Sequence, residues 1–222
     1  MFDAALGLLL ATASANIPPP RDIATLVLDQ RLSTATPDRD KEWRKPRDQL
    51  DFDSGVSVRN CAEYTALRCK ATPIESELNF AAAAQYEICD ELPLLQNAAV
   101  STQAKYGKAR AIDLAGRLDL RTFPSSLRPR VGAQAYLLRH FADLRVRVTP
   151  NQVVADSKDW HYAFRIDAVL DIDHDGKDDW LISVDDESKT AGYRGYQLLV
   201  VRDVARPGTL AAEAIDRWVC AK

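Results

Sequence analysis

Carboxylates recur at alternate positions in the run Asp171-Ile172-Asp173-His174-Asp175-Gly176-Lys177-Asp178-Asp179. Counted from Asp171, they stand at the first, third, fifth and ninth places, with glycine at the sixth. A hard cation such as calcium takes about six to eight oxygen ligands, and a tight loop can bring alternate carboxylates round to one point. Glycine at the sixth place permits the sharp turn that a side chain would hinder. Without a cation the same groups repel one another, and the run then reads as a solvated hairpin loop. Asp185, Asp186 and Glu187 form a second acidic cluster. It reads as a solvated turn.

Other chemistry is sparse. The histidines are His140, His161 and His174. His174 falls inside the acidic loop, His161 alternates with apolar positions and so faces solvent, and His140 sits beside Phe141. No nucleophile elbow, zinc-protease motif or phosphate-binding glycine loop occurs. Glu75, Glu77 and Asp90 are helical acids with no partner visible in the sequence.

The elements that must position the loop follow from periodicity. Asp22 to Leu32 fits a short helix, though its valine and isoleucine also allow a strand, and residues 33–57, rich in proline and charge, read as a loop or a poorly ordered linker. Asn60 is a good N-cap for a helix carrying Cys61, Tyr64 and Leu67, which should end near Lys70 ahead of Pro73. A second helix is predicted over 75–92, with Leu78, Ala82, Gln85 and Cys89 on one stripe. Residues 101–130 are ambiguous, and 131–142 reads as a further helix. From Asp143 the pattern changes. Leu144 to Val148, Trp160 to Leu170, Trp180 to Val184, Tyr193 to Val201 and Thr209 to Ile215 read as strands, with Arg165 and Asp167 alternating against apolar neighbours. The fold class is α+β: an N-terminal helical hairpin packed on a C-terminal antiparallel sheet of four to six strands that carries a strand-loop-strand calcium site. Residues 1–15 read as a signal peptide, 16–57 as an extended or flexible segment, and 58–222 as one domain, mainly helical to 142 and mainly β from 143.

The signal reading rests on the short apolar stretch Ala4 to Ala13 and the small residues Ala13-Ser14-Ala15. An ordinary N-terminal helix is the other reading, because the start carries Asp3 and no lysine or arginine. The cysteines, Cys61, Cys69, Cys89 and Cys220, agree with export, since an even count outside the cytoplasm suggests disulfides. Eight residues along one helix separate Cys61 from Cys69 by about 12 Å, too far to bond. A helical hairpin turning near Pro73 brings Cys61 to Cys89 and leaves Cys69 for Cys220. Buried thiols are the alternative. No CxxC spacing points to zinc.

The acidic run resembles the DxDxDGxxD calcium loops of FG-GAP and VCBS-type repeats, which also lie between two strands. It is unlike the helix-loop-helix type, where the twelfth position holds glutamate; here it is Ile182. The resemblance implies ligands from Asp171, Asp173, Asp175, the carbonyl of Lys177, and Asp179. It covers about a dozen residues and occurs once, so it implies no propeller. The order of export signal, cysteine-bearing helices, acidic loop and Tyr193 to Val200 also resembles a group of exported bacterial proteins of unknown function. At the level of architecture alone it resembles exported immunity proteins that block lysozyme-like toxins.

Composition bounds the function. The chain has 222 residues, 46% hydrophobic and 27% charged, with a formal net charge of −3. It can bury a real core. No basic excess recruits nucleic acid or an anionic membrane, and no stretch is long and apolar enough to span a bilayer. The reading is an exported, calcium-binding, non-enzymatic protein, periplasmic or secreted. It would bind another protein of the cell envelope as an inhibitor or immunity-type module. The alternative is a cell-envelope hydrolase with unidentified acidic catalytic residues. A concave pocket with converging carboxylates would favour the hydrolase; an aromatic patch near Trp160, Tyr193 and Tyr196 would favour the binder. Asp171→Ala or Asp175→Ala should lower melting in calcium and leave it nearly unchanged in chelator.

Overall fold

Trp180-Leu181-Ile182 and Leu198-Leu199-Val200-Val201 are unbroken apolar runs. A strand sends successive side chains to opposite faces, so such runs need cover on both sides. The computed structural model describes residues 26–100 and 110–220 and supplies that cover. Residues 1–15, expected as a signal peptide, lie outside the described residues.

A short pairing joins β1 (Leu50–Asp51) to β2 (Ser57–Val58). The main sheet then runs in simple order through β3 (Arg145–Val148), β4 (Gln152–Asp156), β5 (Trp160–Leu170), β6 (Asp179–Ser188), β7 (Arg194–Val201) and β8 (Ala212–Ala214). All neighbours are antiparallel. The helices precede it, apart from a last turn, so the class is mixed helix and sheet as expected. β4 has no counterpart in the sequence reading. Its signal was present: Pro150-Asn151 is a turn pair, followed by the β-branched Val153 and Val154.

Each sheet face has its own core. Phe164, Ile166, Trp180 and Ile182 pack toward Leu114, Leu118 and Phe141. Ala168, Leu170, Leu181 and Val200 pack toward Leu32, Tyr86, Leu92 and Leu95. The change of phase within β5, from Ile166 to Val169 on the first face, comes from a bulge. Ile166 pairs with Ile182 and Ala168 with Leu181, leaving Asp167 as the extra residue. Its carbonyl accepts hydrogen bonds from Leu28 N (2.7 Å) and Asp29 N (3.1 Å), so the bulge docks the incoming N-terminal segment.

The first face is covered by α6 (Arg110–Arg117) and the chain after it. The helix predicted over 131–142 is absent; only a 3₁₀ turn forms at Leu138–His140. The second face is covered by α1 (Gln30–Ala35), α3 (Cys61–Leu67) and α5 (Glu87–Asn97), with α2 (Arg39–Arg44) and α4 (Glu77–Ala83) beside them. Residues 33–57 are thus structured where the sequence suggested loop. Asp29 and Asp38 cap the two short helices, accepting from Leu32 N and Lys41 N at 2.9 and 3.2 Å. Leu32, Ala35, Leu50 and Phe52 enter the core. Few apolar anchors suffice because each is fully used.

The helix predicted over 75–92 is two helices. Gln85 N and Tyr86 N bond to the carbonyls of Ala82 and Ala83, tightening the chain to three-residue steps between α4 and α5. The break turns Tyr86 inward, its hydroxyl 2.8 and 2.9 Å from the carbonyls of Asp48 and Val58. It also shifts the buried stripe, so Leu78 is 81% exposed while Asn79 is buried. Asn79 accepts from Asp51 N (3.0 Å) and donates to the carbonyls of Asp51 and Ile74 (both 2.7 Å). Its amide stands in for a neighbouring strand. Asn60 caps α3 as expected, accepting from Glu63 N at 3.0 Å. Two disulfides join Cys61 to Cys89 and Cys69 to Cys220, the pairing that helix geometry implied. Among the described residues no helix is long and apolar enough to cross a membrane.

Candidate metal-binding loop and neighbouring cleft

The acidic run connects β5 to β6, so the expected strand-loop-strand setting is observed. Backbone ties hold its two ends. Asp171 exchanges both backbone hydrogen bonds with Ala99, just beyond α5, at 2.8 and 3.0 Å. At the other end Asp178 accepts from Val204 N at 3.1 Å. Between them His174 and Gly176 take positive φ values of 63° and 84°. A side chain at Gly176 would be strained in that backbone.

Asp171, Asp173 and Asp179 converge. One oxygen from each lies within 4.8 Å of the others, a spread that ligands around a common ion at about 2.3–2.6 Å can span. The trio can therefore hold a metal ion. Asp171 is buried, and its oxygens accept from Asp175 N (3.0 Å) and Gly176 N (2.9 Å). Asp179 is fully buried and accepts from Ile172 N (2.8 Å) and Asp203 N (3.0 Å). Asp173 accepts from Asp175 N at 3.2 Å and lies 3.5 Å from the Arg202 guanidinium. Each carboxylate oxygen has two lone pairs, so these contacts orient the groups and leave acceptor capacity.

The other two expected ligands are arranged differently. Asp175 accepts from Lys177 N at 2.9 Å, and its other oxygen lies 3.1 Å from the Lys177 ammonium. That ammonium also reaches Asp203 at 3.0 Å. Lys177 and Arg202 thus offset part of the loop's negative charge, which the sequence reading did not anticipate. Asp178, not expected as a ligand, is buried with Oδ2 unpaired, and its charge is felt by Arg110 of α6. Burial, and then the charges of Asp173 and Asp175, push the Asp179 carboxyl up to about 6 against the two N–H groups it accepts. A bound divalent ion would expel that proton, so affinity should fall as pH drops through this range.

The predicted solvated turn at 185–187 is part of β6. Asp186 is buried, accepting from Ser126 N (2.7 Å) and Ser126 Oγ (2.6 Å). Glu187 pairs with Arg194 at 2.8 Å. Asp90 also has partners after all: Tyr64 donates to it at 3.0 Å and Arg68 lies at 2.9 Å.

At the other end of the sheet a cleft of about 820 Å³ opens between β3, the β4–β5 turn and the end of β6. Trp160 walls it, and Arg130, Arg145, Lys158 and Lys189 line it with Asp143, Asp156 and Asp159. Asp143 is taken by Arg130 at 2.6 Å and Asp156 by Lys189 at 2.9 Å. Lys189 and His161 hold the Asp156 carboxyl below its usual range. His161 Nδ1 lies 2.9 Å from Asp156, and among the described residues no hydroxyl completes a triad with that ring. Arg145 and Lys158 have no acidic partner among the described residues. Trp160 stacks on Tyr162 with ring centres 6.2 Å apart and meets Tyr193 edge-on at 5.8 Å. All four residues of the edge strand β3 are exposed, including Val146 and Val148.

Compared with protein-family models, curated proteins and solved structures, the chain matches none.

Proposed function

We propose that this is an exported, calcium-binding, non-enzymatic protein that binds another protein of the cell envelope, as an inhibitor or immunity-type module does. The observation that carries the binding role is the cleft beside β3. It offers an aromatic wall and two uncommitted cations, Arg145 and Lys158, next to an exposed edge strand. That combination suits an acidic, extended segment of a partner. Two of its carboxylates are neutralised by cations, and Asp156 is held ionised, the wrong state for a general acid. This weighs against the hydrolase reading, although the concavity was the feature expected of one. The two disulfides suit a compartment outside the cytoplasm.

Calcium is the ion of this reading because the loop is all oxygen, with no thiolate or imidazole among the converging groups. Extracellular calcium modules bind at about 0.1–1 mM, so 10 mM ion should stabilise the chain by roughly 1.4–2.7 kcal/mol, or about 3–10 °C in melting temperature. Asp173→Asn keeps the acceptor for Asp175 N and removes the charge; it should abolish the calcium shift and leave the melt in chelator nearly unchanged. Asp171→Ala is a poorer probe than the sequence implied. It also removes the Asp171 oxygens that accept from Asp175 N and Gly176 N, leaving Asp175 N only its longer bond to Asp173, and so costs roughly 1 kcal/mol even in chelator. Thermal melts of both variants with calcium and with chelator separate these outcomes.

The binding role is tested by capture from an envelope extract, using the wild-type chain, an Arg145→Glu/Lys158→Glu variant and Trp160→Ala. One protein should be retained by the wild type and lost, at least tenfold, by both variants. Equal retention by all three removes the cleft from the function. Turnover of an envelope polymer by the purified chain would restore the hydrolase.

A further inference from the structure

We infer that the seam between α5 and the sheet is a proton-operated joint, closed when Glu91 is protonated and loosened when it ionises. Strand alternation sends Arg165, Asp167, Ser183 and Asp185 to the face opposite Phe164, Ile166, Ile182 and Val184, the face that the helical layer covers. From the other side come Glu87 and Glu91 of α5, with Asp29 and Arg31 at the start of α1. Tyr196 of β7, with Arg194 and His161, acts on the outer end near Asp185.

Five carboxyl groups meet two guanidiniums there, Arg31 and Arg165. The arginines are already committed. Arg165 reaches Asp167 at 2.6 Å, Asp29 at 3.3 Å and Glu87 at 3.6 Å, and Arg31 reaches Glu87 at 3.2 Å and Asp29 at 3.4 Å. Glu91 is 0% exposed, and neither of its oxygens has a hydrogen-bond partner. An ionised carboxylate without a donor in a dry interior costs several kcal/mol, whereas its protonated form does not carry that penalty. Burial, and then the neighbouring Asp167 and Glu87 charges, raise its affinity for a proton. A proton on Glu91 removes the buried charge that its unpartnered oxygens would otherwise carry.

The sign follows from linkage. A carboxyl whose folded pKa is raised stabilises the closed state fully below its unfolded pKa, about 4.3 for glutamate, and that stability is lost as pH rises through the folded value. Each proton so held lets the opening constant grow up to tenfold per pH unit. The test is a set of melts in chelator from pH 5 to 8 on the wild type, Glu91→Gln and Asp167→Asn, with hydrogen exchange of the α5 amides corrected for intrinsic rate. The wild type should lose melting temperature and gain α5 exchange as pH rises. Glu91→Gln, which keeps the shape and cannot ionise, should flatten both. Matching pH slopes in the wild type and both variants overturn the joint. If neither variant folds, carboxyl carbon NMR of the wild type decides. A glutamate still protonated at pH 7 is expected, and a fully ionised set refutes it.

Discussion

Removing the Cys69–Cys220 bond by a Cys69→Ser/Cys220→Ser variant should lower the melting temperature by about 10–20 °C, the largest effect of any change outside the core. The bond closes a loop of 151 residues, and cross-linking so long a loop removes on the order of 5 kcal/mol of chain entropy from the unfolded state. The second bond does not shorten that loop much. Cys61–Cys89, 28 residues apart, has one end before Cys69 and the other after it, so the two links cross. Differential scanning calorimetry of the variant, with Cys61–Cys89 kept oxidised, measures the effect. A shift of only one or two degrees would mean that the C-terminal turn α7 (Asp216–Val219) is held by its other contacts, among them Arg68 to Asp216 at 2.7 Å.

Arg165→Met should cost roughly 3–5 kcal/mol at pH 7.5, because it leaves the buried Asp167 without its cation and Glu87 and Asp29 with Arg31 alone. Asp167 is fully buried, and Glu87 and Asp29 are nearly so, and all three lie on this one guanidinium. The deficit should shrink at pH 5. There the Glu87 carboxyl, pushed up to about 7 chiefly by burial, is already protonated, and Asp167, also raised by burial, moves the same way. Urea unfolding at the two pH values gives both numbers. A deficit equal at both would show that Arg165 acts through the packing of its aliphatic stem, not its charge.

The chain's sequence was most legible where the signal is local. The Asn60 cap, the strands β5 and β7, the first half of β6, and the alternate carboxylates of the loop are each written within a dozen residues. A turn or a strand period needs no distant partner to be recognised. The disulfides were legible for a related reason: helical rise makes Cys61 to Cys69 too long to bond, and this narrows the choice. Legibility failed where a local preference was overruled by packing. The predicted helix over 75–92 splits because Tyr86 buries its ring and its hydroxyl finds two carbonyls of the β1–β2 region. The helix begun at Gln30 runs on to Ala35, and a second forms at Arg39–Arg44, because Leu32 and Ala35 have a core to enter, which composition alone did not disclose beyond Leu32.

What the sequence determined by itself was therefore the set of short-range geometries: strand, cap, turn and the spacing of oxygens that a cation could use. What tertiary structure alone decided was which charges share a dry space. Lys177 bridging Asp175 to Asp203, Arg110 facing Asp178, and Glu91 set against Asp167 all join residues from separate elements. One inserted residue in β5 carries Ala168 and Leu170 to the face under the helices, and the helical layer over that face encloses Asp167. Side-chain period in a strand is two, so a single-residue slip reverses every face, and no reading of alternation can foresee where the slip falls.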